Sequence, residues 1–257
     1  MINPGFNIDL KETSLEFEYG IDVFGPDCEK RKLEDIRKTL LEKNSNGPEV
    51  VYSIAMDVGK VLHQLEIEKR NLLYGIVIFS KGKIGDEPVR SQGHIHSISK
   101  SCMSSTPEVY EILNGNAIIY MQEYCGSNPG RCYAVYAKEK EVVIVPPNWA
   151  HFTVNANPNK NLVFGAWCVR DYGFDYDEVR KYSGLAFYPI YDENDNIKWI
   201  KNKNYEKGKI IEKKPRIYEE FNIDRDRIYL QFENDFDKFM FVSNPNIKLN
   251  EWINFIP

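Results

Sequence analysis

From residue 50 to about residue 170, the chain is a succession of short apolar or alternating segments with turn residues between them. Successive side chains of a strand point to opposite faces, so alternation with a period of two indicates β-structure. Strands at this even spacing, without intervening helices, indicate an all-β sandwich or barrel. The segments are EVVYSIAMDV, LLYGIVIFS, EVYEILNG, AIIYMQEY, CYAVYA, EVVIVPP, HFTVNA and LVFGAWCV.

The flanking regions set the expected domain limits. Residues 29–44 carry apolar side chains at helical spacing with charges on the opposite face, which predicts one helix in an N-terminal segment, residues 1–49. The β-domain then spans residues 50–203, and residues 204–257 form a C-terminal extension. The apolar residues of the predicted helix are Leu33, Ile36, Leu40 and Leu41.

Shorter signals occur in the second half of the chain. Residues 177–184 predict one or two helical turns, and DENDN at 192–196 predicts a hairpin turn. The basic run KIIEKKPR, residues 209–216, is interpreted as a solvated loop. Large aromatic side chains are unfavourable in water, so those of the extension should pack against the barrel mouth or a partner subunit. They are Phe239, Phe241, Trp252 and Phe255.

The composition argues against several functional classes. A net charge of -5 without a basic stripe argues against nucleic acid as the partner. No apolar stretch approaches the ~18 to 20 residues that span a bilayer, and the N-terminus lacks the features of a secretory signal. The five cysteines form no CxxC pair, which indicates reduced thiols in a cytoplasmic protein.

Three of the four histidines fall in two β-segments. His94 and His96 are separated by one residue, so both side chains point to the same face of a strand. His151 follows a Pro-Pro turn further along the chain. If its strand lies alongside, three neutral imidazoles and a carboxylate can bind one divalent transition metal and leave positions open for a substrate. His63, in KVLHQLE, is interpreted as a residue of the core.

These residues resemble the two motifs of the cupin superfamily. The first motif is matched by His94, His96, Glu108 and Gly115, and the second by Pro146, His151 and Asn155, with Asn148 in place of a glycine. The resemblance implies a cupin double-stranded β-helix, or jelly-roll barrel, that binds Fe, Mn, Ni or Zn. Its implied ligands are His94, His96, Glu108 and His151. The segment SISKSCMSSTP between His96 and Glu108 is longer than the motif allows, and we interpret it as a loop inserted at the mouth of the site.

A narrower resemblance rests on GKIG at 82–85, GHIH, PEVYEILNG, VVIVPPNWAHFTVN and DYGFDY, in this order. They are similar to motifs of the cupin-type glucose-6-phosphate isomerases of archaea and some bacteria, over residues 15–203. This similarity implies that Glu108 and Tyr110 are catalytic. The residues it implies near the sugar phosphate are Tyr52, Ser91 and Gly93.

The chain also departs from the pattern of that family. Four positions that carry polar side chains there, around the phosphate and the sugar ring, are Val77, Phe152, Cys168 and Phe174 here. Arg170 is an additional guanidinium and a candidate ligand for the phosphate.

The resemblance implies a metal-dependent aldose–ketose isomerase that acts on a phosphorylated sugar, such as glucose 6-phosphate or fructose 6-phosphate. Proton transfer through Glu108 and Tyr110 and a metal-assisted hydride shift both remain open. A metal-dependent dioxygenase and a non-catalytic sugar-binding cupin are the alternative functions. We also expect a homodimer, in which the segment SLEFEYG is a plausible exchanged strand.

Overall fold

The computed structural model describes residues 2–224 and 227–257. The first strands of these residues are β1 (Ile8–Lys11), β2 (Glu16–Tyr19), β3 (Val23–Phe24), β4 (Glu29–Lys32), β5 (Val50–Met56), β6 (Gly59–Lys60), β7 (Leu72–Phe79), β8 (Lys83–Ile84), β9 (Glu87–Pro88) and β10 (Ile95–His96). They are followed by β11 (Glu108–Asn114), β12 (Asn116–Gln122), β13 (Cys132–Lys138), β14 (Val142–Val145), β15 (Ala150–Asn155), β16 (Leu162–Val169), β17 (Phe174–Asp175), β18 (Phe187–Tyr191), β19 (Ile197–Lys201) and β20 (Ile210–Lys213).

Helices are short and lie mainly outside the barrel. They are α1 (Leu33–Ile36), α2 (Gln64–Lys69), α3 (Asp177–Lys181), α4 (Ile228–Asn234), α5 (Met240–Ser243) and α6 (Leu249–Ile253), with 3-10 turns at Arg37–Thr39, Val61–His63, Glu219–Phe221 and Pro245–Lys248.

Two sheets form the barrel. The larger is antiparallel with the order β14-β11-β16-β7-β5-β4, and the smaller has the order β15-β12-β13-β20. The predicted all-β cupin jelly-roll is confirmed, with short hairpins and helices around it.

The space between the sheets is filled by alternate side chains of the strands. On β16, Phe164, Ala166 and Cys168 point into this interior, whereas Val163 and Trp167 point to the opposite face of the larger sheet. Because both faces are buried, the strands of this sheet are continuous apolar runs rather than alternating ones.

The outer face of the larger sheet is covered by both ends of the chain. Trp167 contacts Tyr229 and Phe239 of the C-terminal extension, with ring centres 5.6 Å away in each case. Phe6 and Phe17 of the N-terminal segment join the same core. The extension therefore packs on the barrel wall of its own chain. Its aromatic residues Phe239, Phe241 and Phe255 are buried, and Trp252 is partly buried.

The helix predicted over residues 29–44 is wrong for most of its length. Residues 29–32 form β4, because their backbone pairs with the edge of β5. Helical structure is limited to α1 and the turn that follows it. Leu40 has an extended backbone, and the next amide, that of Leu41, donates a 2.6 Å hydrogen bond to the buried carboxylate of Glu87. Tertiary pairing therefore overrides the local helical pattern.

Other local predictions have mixed outcomes. The turn of helix at 177–184 and the hairpin at 192–196 are confirmed as α3 and the β18–β19 connection. The basic loop at 209–216 is partly wrong, since β20 pairs in parallel with β13. The proposed exchanged strand, β2, pairs with β1 of its own chain. The predicted limits of the β-domain, at residues 49 and 203, stay a prediction. Strands β4 and β20, from the two flanking segments, extend the two sheets of the barrel.

Two expectations from the composition can be compared with the structure. None of the helices in the described residues has the length and apolar character needed to cross a membrane. All five cysteines are free thiols.

Replacing Phe239 by alanine should lower the free energy of unfolding by about 3 to 5 kcal/mol, because its ring is fully buried beside Trp167. Ile253→Ala, in the same extension but exposed, should have little effect. Urea unfolding of the two variants measures the difference. Equal stability of the two variants would show that the extension does not pack on the sheet.

Candidate metal centre

Strand pairing brings the four predicted ligands together. The backbone of His94 pairs with that of His151, with amide-to-carbonyl distances of 3.0 Å in both directions. His96 lies two residues on in β10, on the same face as His94, and Glu108 begins β11 of the facing sheet. One ligand atom of each of the four side chains lies within 4.8 Å of the other three.

The arrangement of the imidazole nitrogens fits a metal ion. The Nδ1 atoms of His96 and His151 lie 2.7 Å from the Thr106 carbonyl and 3.2 Å from the Trp149 carbonyl. A carbonyl can only accept, so Nδ1 carries the proton and Nε2 carries the lone pair. The Nε2 atoms of all three histidines are buried without a hydrogen-bond partner in the described residues.

A carboxylate completes this set of acceptors. The Oε2 atom of Glu108 lies 3.2 Å from the Nε2 atom of His96 and 3.5 Å from that of His151. Lone pairs of nitrogen and oxygen that converge at these distances repel one another unless a cation or protons lie between them. Three imidazoles and one carboxylate are a ligand set of divalent transition metals.

The carboxylate of Glu108 has two further neighbours. The hydroxyl group of Tyr110 donates a 2.7 Å hydrogen bond to Oε2, and the thiol of Cys168 donates to Oε1 at 3.1 Å. Burial, together with the negative charge of Glu108, raises the pKa of both Tyr110 and Cys168 well above their ordinary values. Both groups therefore remain protonated donors that hold the carboxylate in place.

The charge state of the site also suits a metal. Burial lowers the pKa of His94 well below its ordinary value, and the neighbouring His151 and His96 add to this effect. Burial also lowers the pKa of His151. Burial alone would raise the pKa of Glu108, but protonated His151 and His96 would outweigh burial and hold that pKa well below its usual range, as a cation between these groups also would. Neutral imidazoles beside an ionised carboxylate are the forms that bind metal.

Residues 33–207 match the family model described as glucose-6-phosphate isomerase (GPI). This region is about two thirds of the chain and contains all four ligands. The chain belongs to this family. With the cupin barrel that surrounds the site, it is a member of the cupin-type branch.

Curated relatives carry the same name. The glucose-6-phosphate isomerase of Sinorhizobium medicae is 29% identical over 137 residues, which cover 53% of this chain and 59% of that protein. That of Thermococcus litoralis is 27% identical over 199 residues, covering 72% and 94% respectively. That of Pyrococcus furiosus is 27% identical over 202 residues, covering 75% and 95%. The chain spans less than two thirds of the length of the rhizobial relatives.

Two solved structures have a weak similarity to part of the chain. An oxalate oxidase shares 14% sequence identity over 48% of this chain and 53% of its own, with a TM-score of 0.34. The vicilin of Corylus avellana (hazelnut) shares 12% over 52% of this chain and 34% of its own, with a TM-score of 0.36.

The residues predicted to contact the sugar phosphate have different surroundings. Tyr52 is buried and stacks on Phe79 at a ring-centre distance of 4.7 Å. The Oγ atom of Ser91 accepts a hydrogen bond from the Thr153 amide and can still donate one. Gly93 has a φ of +90°, a conformation that L side chains rarely adopt, and it leads directly into His94. Their roles as substrate ligands stay predictions.

Arg170 is occupied by another partner. Its guanidinium group forms a bidentate ion pair with Asp57, with distances of 2.6 and 2.7 Å. Asp57 lies more than a hundred residues earlier in the chain, so no local pattern in the sequence indicates this pair. The predicted role of Arg170 as a phosphate ligand would require this ion pair to open.

The four departures from the family pattern differ in their relation to the site. Phe152 points away from His151, onto the outer face of the smaller sheet, where it stacks on Tyr120. Its substitution therefore removes nothing from the site, contrary to our expectation. Cys168 contacts Glu108, and the ring of Phe174 lies 4.4 Å from that of His94. The remaining residue, Val77, lines the barrel interior.

Some residues around the site were not recognised from the sequence. Thr106, in the inserted loop, orients His96 through its carbonyl, and the loop itself is anchored by hydrogen bonds from Ser99 and Ser101 to Asp171. Tyr176 lies 6.0 Å from His94, ring centre to ring centre. Its position two residues after Phe174, in DYGFDY, was the available signal.

The interpretation of His63 is supported by the geometry. His63 is a buried core residue whose Nδ1 atom lies 3.2 Å from the Tyr229 hydroxyl. Trp149 is buried against Tyr133, with ring centres 6.0 Å apart, and therefore packs in the core.

The double substitution His94→Ala plus His151→Ala should abolish metal binding, because two of the four converging ligands are lost. Elemental analysis of the purified protein gives the metal content. His63→Asn serves as the control and should retain full occupancy, since His63 is remote from the site. Stoichiometric metal in the double variant would contradict the ligand assignment.

Proposed function

We propose that this protein is a metal-dependent aldose–ketose isomerase of a phosphorylated sugar, with glucose 6-phosphate and fructose 6-phosphate as the leading candidates. The observation that carries the proposal is the contact between Tyr110 and Glu108 beside three histidine ligands, inside the region that matches the isomerase family. The choice of substrate is supported by the relatives that are named glucose-6-phosphate isomerase.

The metal would be one divalent ion of Fe, Mn, Ni or Zn, held by His94, His96, Glu108 and His151. When bound, it supplies Lewis-acid stabilisation of the negative charge that develops on the sugar oxygens. The nitrogen-rich ligand set disfavours Mg²⁺ and Ca²⁺, which prefer oxygen ligands.

Glu108 and Tyr110 are the proposed proton-transfer groups. An aldose–ketose isomerase must move a hydrogen between the two carbons that exchange the carbonyl group, and in the proton-transfer route it moves as a proton. The carboxylate of Glu108 can accept this proton, and the hydroxyl of Tyr110, at 2.7 Å from Oε2, can return one. Phe174 has no ionisable group, so opening of the cyclic sugar must rely on another residue or on the open-chain form in solution.

Metal-loaded wild-type protein should interconvert fructose 6-phosphate and glucose 6-phosphate, as followed in an assay coupled to oxidation of glucose 6-phosphate. Tyr110→Phe keeps the ring but removes the donor to Glu108, and kcat should fall ~100-fold or more. Tyr124→Phe, which changes an exposed tyrosine outside the site, is the matched control. Oxygen consumption with an organic acid would indicate the dioxygenase alternative, and sugar binding without turnover would indicate the non-catalytic one.

We also propose a homodimer. Support comes from an exposed apolar patch in which Ile21 is fully exposed beside Val61, Leu62 and Leu65. Light scattering at micromolar concentration should give twice the mass of the chain, and Leu62→Asp plus Leu65→Asp should reduce it to that of the monomer. A monomeric wild type would contradict the proposal.

A further inference from the structure

Two arginines lie beside Tyr176, whose ring neighbours that of the metal ligand His94. Arg31 is on β4, and Arg180 is on α3. We propose that their guanidinium groups bind the phosphate of an open-chain sugar phosphate whose carbonyl end lies at the metal centre. The identity of the sugar rests on the proposed function, whereas the anion site rests on the contacts of the two arginines.

Tyr176 connects both arginines to the metal centre. Its ring lies 6.0 Å from that of His94, and the guanidinium carbon of Arg180 lies 5.0 Å from the centre of the Tyr176 ring. The positive charge of Arg31 lies close enough to the Tyr176 hydroxyl to offset part of the rise that burial causes in the pKa of that hydroxyl. One aromatic ring therefore separates each guanidinium from a metal ligand, much as the carbon chain of a hexose 6-phosphate separates its phosphate from its carbonyl end.

Arg31 faces the interior of the barrel. It lies opposite Tyr52 in the pairing of β4 with β5, and directly opposed residues project to the same face of a sheet. Its carboxylate partner is Glu29, whose side chain is 63% exposed, compared with 21% for Arg31. An ion pair with so exposed a carboxylate is weak, so a phosphate can displace it.

Arg180 contacts a residue adjacent in sequence to two predicted substrate residues, and it has donors to spare. Its Nε atom donates a 3.1 Å hydrogen bond to the Oε1 atom of Gln92, which lies between the predicted substrate residues Ser91 and Gly93. Within residues 2–224 and 227–257, its guanidinium has no carboxylate partner and its two terminal nitrogens have no hydrogen-bond acceptor.

Other arginines around the barrel have their guanidinium groups occupied. Arg170 is paired in bidentate geometry with Asp57, and Arg90 is buried against Glu87. Arg180 and Arg31 are therefore better suited to an incoming anion. A planar guanidinium offers two parallel N–H donors that match the oxygens of a phosphate, which an ammonium group does not.

Calorimetric titration of the Mn²⁺-loaded full-length protein with sorbitol 6-phosphate tests this site, because this open-chain phosphate has no carbonyl and cannot be isomerised. Arg180→Ala and Arg31→Ala should each weaken its binding about 10- to 100-fold, the loss expected for charge-assisted hydrogen bonds. Arg180→Lys should restore only part of the affinity. Binding of unphosphorylated sorbitol should be equal in all variants.

Neighbouring lysines provide matched controls. Lys32→Ala and Lys181→Ala remove the same charge from adjacent, exposed positions and should bind sorbitol 6-phosphate like the wild type. The inference is overturned if both arginine variants, folded by circular dichroism, bind as tightly as the wild type. It is also overturned if the wild type does not prefer sorbitol 6-phosphate to sorbitol. Binding without turnover of any sugar phosphate would instead refute the proposed isomerase and leave the anion site standing.

Discussion

The larger sheet has to bury both of its faces, and much of the structure follows from this constraint. Its inner face closes the barrel against the smaller sheet. Its outer face carries Tyr74, Val109 and Trp167, whose exposure to water would be unfavourable. The barrel strands have no further apolar surface with which to cover them. The N-terminal segment and the aromatic extension supply that cover, so both are structural parts of the barrel wall.

The inner face carries part of the chemistry because β11 and β16 bring Glu108 and two of its neighbours to it. Glu108 and Tyr110, two residues apart on β11, point inward together, and Cys168 on the adjacent β16 reaches the same carboxylate. The rigid antiparallel pairing fixes these side chains within hydrogen-bond distance without any loop. A cation bound between the Glu108 carboxylate and the imidazole nitrogens would remove the repulsion between their lone pairs.

The sequence predicted the strands well, because they depend on local spacing with a period of two. The four residues assigned as ligands from the cupin motifs do converge in the structure. The same periodicity could have shown that Phe152, next to the inward-pointing His151, must point outward. Residues 29–44 were misjudged because β4 forms by pairing with β5, an interaction that a local helical pattern does not contain. The pairs Arg170–Asp57 and Cys168–Glu108 join distant parts of the chain, so the sequence alone could not reveal them.

We propose that three imidazoles and the Glu108 carboxylate bind a divalent transition metal inside the barrel. X-ray absorption spectroscopy of the zinc-loaded protein tests it directly, because it reports the atoms bound to the metal. We expect nitrogen and oxygen atoms at about 2.0 to 2.2 Å from the zinc, with the scattering pattern of three imidazoles. A sulfur ligand at about 2.3 Å, from Cys168 or another cysteine, or fewer than three imidazoles, would contradict it.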